Sequence, residues 1–357
     1  MHDRTASRLS AGTTGSGSGT VKSLAFFNNK GGVGKTTLAC NMAAQIAKDL
    51  SLRVLVVDLD PQCNATQLLL DEDQWEGLYG NRREAARRTV LKTLRHIRVG
   101  DSAIDEELHV TRSERFELDV LAGHPAMSMV EDRLSGSWVD FLAGDPGGAR
   151  RSMWAKRLVE VADYDLVVFD VGPSLGALNR TVLLGSEAFV TPMAADLFSL
   201  YALDNIGEWI RAWTRDYTRA YESLVEREEF EPADAGVTPQ PTVARGWLGY
   251  TVQQYVTKAM RGSSRTVNAY ERYRAQIPER AEMLREFAFP GVKKFDLGLV
   301  PNMFSMVPLA QAAHAPIREM TNADGVRGAQ VNQQARYVQR LEQLSARLIQ
   351  NARLGTD

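Results

Sequence analysis

Cysteine is nearly absent from this chain: Cys40 and Cys63 are the only two in 357 residues. Two cysteines build no disulfide framework, and no C-x-x-C pair is present for a metal, so a reduced, cytosolic compartment is the expectation. No run of about 18 apolar residues occurs, which argues against a transmembrane helix and against stable membrane insertion. Residues 1–20, rich in Ser, Thr and Gly, lack the apolar stretch of a signal peptide and read as a disordered lead. Neither sign of charge dominates. The net charge is −2, so any basic footprint must be local. The five histidines show no metal-ligand spacing, His124 reads as structural, and no Ser-His-Asp arrangement stands out.

What is present is ordinary globular composition, 44% hydrophobic and 24% charged, enough for a sizeable core. Apolar runs at Val21–Asn28, Arg53–Leu59, Asp165–Asp170, Ala188–Thr191, Trp247–Val252 and Leu297–Val300 suit buried parallel strands, with Phe116–Leu121 as another. Helical patterns lie between most of them, at Thr36–Leu50, Trp154–Ala162, Leu178–Gly185, Leu203–Tyr221 and Ser263–Phe287. The alternation predicts an α/β fold, a doubly wound, mostly parallel sheet with helices on both faces, as a single domain over 21–357. Three segments depart from a minimal sheet. Asp71–Arg115 is an enlarged, charged, strand-poor stretch. Val225–Thr242 is acidic and Pro-rich, a surface loop. A last helix spans about 330–353, with Tyr337, Leu341, Leu344 and Leu348 on one stripe. Arginines flank that stripe; such a helix can lie on a membrane, but packing on the body is the more frequent use.

The strand–loop–helix unit at the N-terminal end carries Lys30-Gly31-Gly32-Val33-Gly34-Lys35-Thr36-Thr37. Glycines let backbone N–H groups turn towards phosphate, and the helix that follows presents its positive end. The Gly-Lys-Thr core fits a P-loop for Mg·ATP, although Asn29 stands at the first glycine of the full pattern. On this reading Lys35 reaches the β- and γ-phosphates, Thr36 ligates Mg²⁺ through its hydroxyl, and Thr37 touches the α-phosphate. Asp58 and Asp60 share one face at the end of the second strand, where a carboxylate points into the ligand crevice. One can serve Mg²⁺ and its waters and the other can orient an attacking water. Asp170 ends the strand DLVVFD, a Walker B arrangement that holds Mg²⁺ through water.

The loop KGGVGKTT, the stretch DLDPQCNAT and the run from Asp170 through Pro173-Ser174-Leu175 resemble the ParA/MinD family of deviant Walker A ATPases, the ParA branch above all. The likeness runs from about Val21 to Glu319. It departs at Gly172, where the pattern has proline, and at Cys63, where the family usually has glycine. A cysteine there is a plain small-residue substitution, or stiffens the switch. The resemblance implies a homodimer formed on ATP, with Lys30 reaching the partner's phosphates, Asp60 positioning the hydrolytic water and Asp58 supporting the metal. It also implies that Pro301 and Asn302 lie against the adenine. Cluster cysteines of nitrogenase-type iron proteins are missing, because Cys40 and Cys63 fall in the wrong places.

ParA-type proteins carry DNA non-specifically on basic residues of the C-terminal half, and such affinity comes from phosphate contacts. Residues 245–294 hold ten Lys/Arg against four Asp/Glu, among them Lys258, Arg261, Arg265, Arg272, Lys293 and Lys294. Residues 82–98 hold seven against Glu84. The implied activity is slow ATP hydrolysis that drives partition or positioning of a plasmid, chromosome or other cargo. A ParB-like adaptor is the implied partner, and the implied location is cytoplasmic and nucleoid-associated. The alternative is an ATP-gated scaffold that controls an effector without DNA.

Overall fold

The apolar runs form one eight-stranded sheet in the computed structural model, which describes residues 20–227, 230–254, 264–302 and 305–355. The strands are β1 (Ser23–Phe26), β2 (Val54–Asp58), β3 (Thr111–Ser113), β4 (Leu118–Leu121), β5 (Leu166–Asp170), β6 (Ala188–Ala194), β7 (Trp247–Gln253) and β8 (Asp296–Val300). Their order is β3-β4-β2-β5-β1-β6-β7-β8. Only the β3–β4 pair is antiparallel. This is the expected doubly wound architecture. Side chains alternate across each strand. Ala25, Leu55, Val57, Val167 and Phe169 enter one apolar layer, while Leu24, Phe26, Val54, Val56, Leu166 and Val168 enter the other. With helices over both faces the two sets are equally buried, which is why the strands read as unbroken apolar runs.

The helices follow the expected pattern with shifted ends. The phosphate-loop helix is Lys35–Leu50, and Trp154–Ala162 and Ala177–Gly185 flank the middle of the sheet. The long helix extends to Leu197–Val225, and the pattern at Ser263–Phe287 resolves into a helix, Ser264–Ala281, and a 3-10 stretch, Glu282–Phe287. The last helix, Ala329–Ala352, buries Tyr337, Leu341, Leu344 and Leu348 against the phosphate-loop helix and β8. Its apolar stripe is therefore spent on the body. Among the described residues no helix is long and apolar enough to cross a membrane.

Three expectations need amending. Residues 71–115 contain four short helices, Glu72–Tyr79, Arg82–Arg88, Val90–Thr93 and Arg95–Arg98, before the edge strand β3. The stretch at Val225–Thr242 is not wholly a surface loop, because Pro232, Ala235 and Val237 are buried and Thr238 N–H donates to the Tyr217 hydroxyl at 3.1 Å. The helix Met127–Leu142 is absent from the expected set. Its Ser135-Gly136-Ser137 centre has weak helix propensity, and burial of Val130, Leu134, Trp138 and Phe141 stabilises it instead. The lead over residues 1–19 lies outside the described residues.

The strand order matters for the site. β1 sits between β5 and β6, and β2 lies on the far side of β5. Parallel register pairs Asp170 with Phe26 on one side and with Asp58 on the other. The carboxyl ends of β1, β2 and β5 thus open at one level, the place where open α/β sheets bind ligands.

Candidate functional site

The loop after β1 is shaped by two left-handed glycines, Gly32 (φ 73°) and Gly34 (φ 72°), with Gly34 capping the phosphate-loop helix. No side chain caps that helix end, so its first N–H groups stay available to an anion. Gly31, Gly32, Gly34, Lys35, Thr36 and Thr37 line a cleft of about 380 Å³ together with Asp60. Val33 turns inward and is 2% exposed. The cleft wall also includes Gln62, Asn64 and Pro173, which lie within the sequence motifs without a role of their own there, and Gln311. A second cleft on the other side of the loop is bounded by Gly32, Gly34, Gln253, Tyr270, Tyr273 and Asn302. Asn302 therefore sits beside the phosphate loop; Pro301 precedes it at the end of β8, and Met303 lies outside the described residues.

Lys35 is 7% exposed and donates to the Lys30 carbonyl at 3.2 Å. Burial lowers its pKa, opposed by the carboxylates of Asp170 and Asp60. Asp170 is fully buried, and both its carboxylate oxygens lack a hydrogen-bond partner. Burial first, and the neighbouring Asp58 second, push its pKa up to about 8. An unpartnered buried carboxylate is costly unless a cation meets it. That orphan pair of oxygens beneath Lys35 and Thr36 fits a Mg²⁺ site. Among the described residues no three His, Cys, Asp or Glu side chains could hold a metal by themselves. Mg²⁺ here would draw on the Thr36 hydroxyl, Asp170, phosphate oxygens and water, as this ion usually does.

Asp58 occupies a different position in the network. One of its oxygens accepts from both the backbone N–H (2.8 Å) and the hydroxyl (2.6 Å) of Thr66, and the other accepts from Asp60 N–H at 3.3 Å. Burial, the larger effect, outweighs these bonds and pushes its pKa up to about 6. Asp58 therefore anchors the short helix Asn64–Leu69 to the sheet. Asp60 is 7% exposed, and one oxygen accepts from Gln62 N–H at 3.0 Å. Cys63 has φ 53° and ψ 35°, the left-handed conformation that glycine adopts freely. A glycine at that position has a backbone reason, and Cys63 adopts the same turn with a buried side chain.

Lys30 does not line the phosphate cleft. Its ammonium pairs with Asp196 and lies 3.4 Å from the Ser199 hydroxyl. Asp196 follows β6 and caps the helix Leu197–Val225 by accepting from Ser199 N–H at 3.0 Å. Burial would raise its pKa, but the Lys30 pair and the backbone bonds hold it below the ordinary value. Asp196 did not stand out in the sequence, because the expected helix began at Leu203; neither its cap nor its pairing with a lysine 166 residues away was legible.

Of the basic candidates, Lys258 and Arg261 lie outside the described residues, and Arg265 is in the first turn of Ser264–Ala281. Arg272, Lys293 and Lys294 are exposed. Arg272 stacks on Tyr273 at 4.8 Å. In 82–98, Arg88 pairs with Glu84 within the segment, Lys92 and Arg95 pair with Glu107 and Asp105 beyond it, and Arg82, Arg83 and Arg87 are exposed.

The Asp170 shift has a testable consequence. The folded state holds a proton on Asp170 up to about pH 8, whereas the ordinary carboxyl releases it near 3.8. Folded chains then bind more protons, so this group's contribution to stability is present below the lower value and is lost as pH rises towards the upper one. Thermal melts without nucleotide are expected to fall across that window, and Asp170→Asn is expected to flatten the slope. An unchanged slope in the variant would place the titration elsewhere.

The AAA domain family matches residues 21–221. The chromosome partitioning protein ParA of Myxococcus xanthus is 32% identical over 208 residues, 58% of this chain and 64% of that protein. The chromosome-partitioning ATPase Soj of Thermus thermophilus is 34% identical over 182 residues, 50% of this chain and 57% of its own length. The chain spans less than two thirds of these curated relatives. Among solved structures, protein DIP2308 from Corynebacterium diphtheriae is 39% identical with TM-score 0.69, covering 82% of this chain and 97% of that one. The ATP complex of a Cyanothece McdA variant is similar in fold, with TM-score 0.57 and 15% identity over 94% of this chain and 97% of its own.

Proposed function

The chain belongs to the AAA-domain family, within it to the ParA/MinD-type partition ATPases, and we propose that it is an ATP-switched dimer that hydrolyses ATP slowly and carries DNA without sequence preference. The carrying observation is the convergence of Lys35, Asp60 and Asp170 at one end of the sheet, beneath a phosphate loop. Lys35 supplies a fixed positive charge to the β- and γ-phosphates. Asp60, at the cleft wall, accepts a hydrogen bond from water and aims its oxygen at the γ-phosphorus. Such reactions need positioning and charge stabilisation more than covalent help. When bound, Mg²⁺ would neutralise phosphate charge next to Thr36 and Asp170. Lys30 acts on the partner's nucleotide, so ATP favours the dimer through contacts that ADP cannot make. Asp58 supports the site by holding Thr66, and Pro301 and Asn302 flank the base. Residues 21–357 work as one domain.

Exposed Arg272, Lys293 and Lys294 support a DNA-carrying role, and Lys258, Arg261 and Arg265 belong to the same basic stretch of the sequence. Salt-dependent affinity is the signature of such a role, with log K falling by about 0.9 per phosphate contact for each tenfold rise in salt. Fluorescence anisotropy of a random-sequence duplex is expected to show binding with ATP, little with ADP, and loss of affinity in Lys293→Glu/Lys294→Glu. Binding in neither state, with ATP dimerisation intact, would favour an ATP-gated scaffold that acts on a protein effector. Cargo and adaptor follow from the first outcome: partition or positioning of a DNA or protein cargo by a nucleoid-associated, cytoplasmic switch, stimulated by a ParB-like partner.

A further inference from the structure

No residue of the segment 71–115 lines the phosphate cleft, yet its first helix touches the short helix Asn64–Leu69 that follows the Asp60 turn. That helix, Glu72–Tyr79, is fixed at its start by a capping box between Asp71 and Gln74, and Gln74 Nε2 donates to the Arg112 carbonyl at 2.8 Å. Its inner side presents Trp75 and Tyr79. Trp75 Nε1 donates to the Thr66 carbonyl at 3.4 Å. The Tyr79 hydroxyl donates to the Gly123 carbonyl at 2.7 Å. Gly123 N–H donates in turn to the Thr66 hydroxyl at 2.9 Å, and that hydroxyl donates to Asp58. The chain ends at Asp60, whose N–H is held by the other Asp58 oxygen.

Packing leaves this network little slack. Thr66 is 0% exposed. A Cβ on Gly123 would lie 2.9 Å from the Asp58 carboxyl carbon, so backbone and carboxylate touch. The far side of Trp75 is closed by His314, edge-on at 5.3 Å, and His314 Nδ1 lies 3.1 Å from the Gln67 carbonyl. The helix Asn64–Leu69 is thus gripped from the sheet by Asp58 and from outside by Trp75 and His314. Buried networks of this kind fix one arrangement when every member is satisfied.

We infer that Trp75 and Tyr79 are positioning residues for ATP hydrolysis, acting through Thr66, Gly123 and Asp58 to hold Asp60 at its place in the cleft. This rests on Asp60 as the water-positioning residue. It assigns the enlarged segment a part in turnover and separates its effect from nucleotide binding, because neither aromatic side chain lines the phosphate cleft. Small displacements of a positioning group cost rate steeply.

The test compares steady-state ATP hydrolysis of the full chain with Tyr79→Phe, Trp75→Phe, Asp60→Ala and Tyr79→Phe/Asp60→Ala, with melting temperatures for each. Tyr79→Phe keeps the ring and removes one donor, so folding is retained. The expected result is a fall in kcat of about fivefold in each aromatic variant, which corresponds to about 1 kcal/mol, at unchanged KM and nearly unchanged Tm. Tyr79→Phe should add nothing in the Asp60→Ala background, as residues that act as a unit do. If Asp60→Ala loses turnover while both aromatic variants keep the parental kcat, or shift only Tm and KM, the positioning role is overturned and Asp60 stands. If Asp60→Ala keeps full turnover, the role of Asp60 falls, and this inference with it.

Discussion

Asp60→Ala is expected to lower ATP turnover by about two orders of magnitude or more, the usual range for removing a group that orients or accepts a proton from the attacking water. The expected specificity of the loss follows from its surroundings. The Asp60 side chain accepts from Gln62 N–H, and its backbone bonds to Asp58 and Cys63 survive truncation, so the change leaves the β2 strand and its turn in place. Asp58, one turn of backbone away, holds the adjoining helix through Thr66 and is untouched by the change. Nucleotide affinity, set by the glycine loop and Lys35, should change little. The measurement is phosphate release at saturating ATP beside equilibrium binding of a fluorescent ATP analogue. Retained turnover would move the water-positioning role to another wall residue, such as Gln62, whose N–H donates to Asp60.

Lys30→Ala is expected to abolish ATP-dependent dimerisation while nucleotide still binds the single chain. A hydrogen bond to a charged group contributes about 1.5–3 kcal/mol. A two-fold dimer makes each contact twice, so the loss is doubled to about 3–6 kcal/mol, or about two to four orders of magnitude in the dimer constant. The ion pair with Asp196 sharpens the test. In this structure Lys30 is engaged within its own chain, with 26% of its side chain exposed. Reaching across an interface requires it to leave Asp196, which keeps its backbone bond to Ser199 after the lysine has gone. Loss of the helix cap is therefore not a confounding effect. Light scattering with ATP and ADP reads the outcome directly. A variant that still dimerises on ATP would leave Lys30 with the intrachain pair alone.

The parts of the site that were legible in the sequence are contiguous ones. Gly31 to Thr37 lie within one turn and the start of one helix, so spacing alone dictates which N–H groups face the cleft. Asp58 and Asp170 were legible as strand ends because an apolar run stops at each, and the sheet sets them opposite one another in register. What Asp58 binds was less accessible. It stands two residues before Asp60, at the point where β2 gives way to a turn rather than continuing along one strand face, and the residue type does not say which of the two carboxylates is occupied by Thr66. The helix Met127–Leu142 was hidden by the small residues at its centre, and the helices of 71–115 by their charge, since neither stretch shows a clean apolar period.

By itself, the sequence determined the layered α/β architecture, the phosphate loop with its lysines, the acidic strand ends and the buried stripe of the last helix. Each depends on local periodicity or on neighbours within a few residues, where backbone geometry leaves few choices. Tertiary structure alone decided the pairing of Lys30 with Asp196, the contact of the Glu72–Tyr79 helix with Thr66 and Gly123, and the orphaned oxygens of Asp170. These depend on β1 lying between β5 and β6, with β2 beyond β5. Strand order is a property of the whole packed sheet. Apolar runs of equal length and character are interchangeable until burial of both faces selects one arrangement.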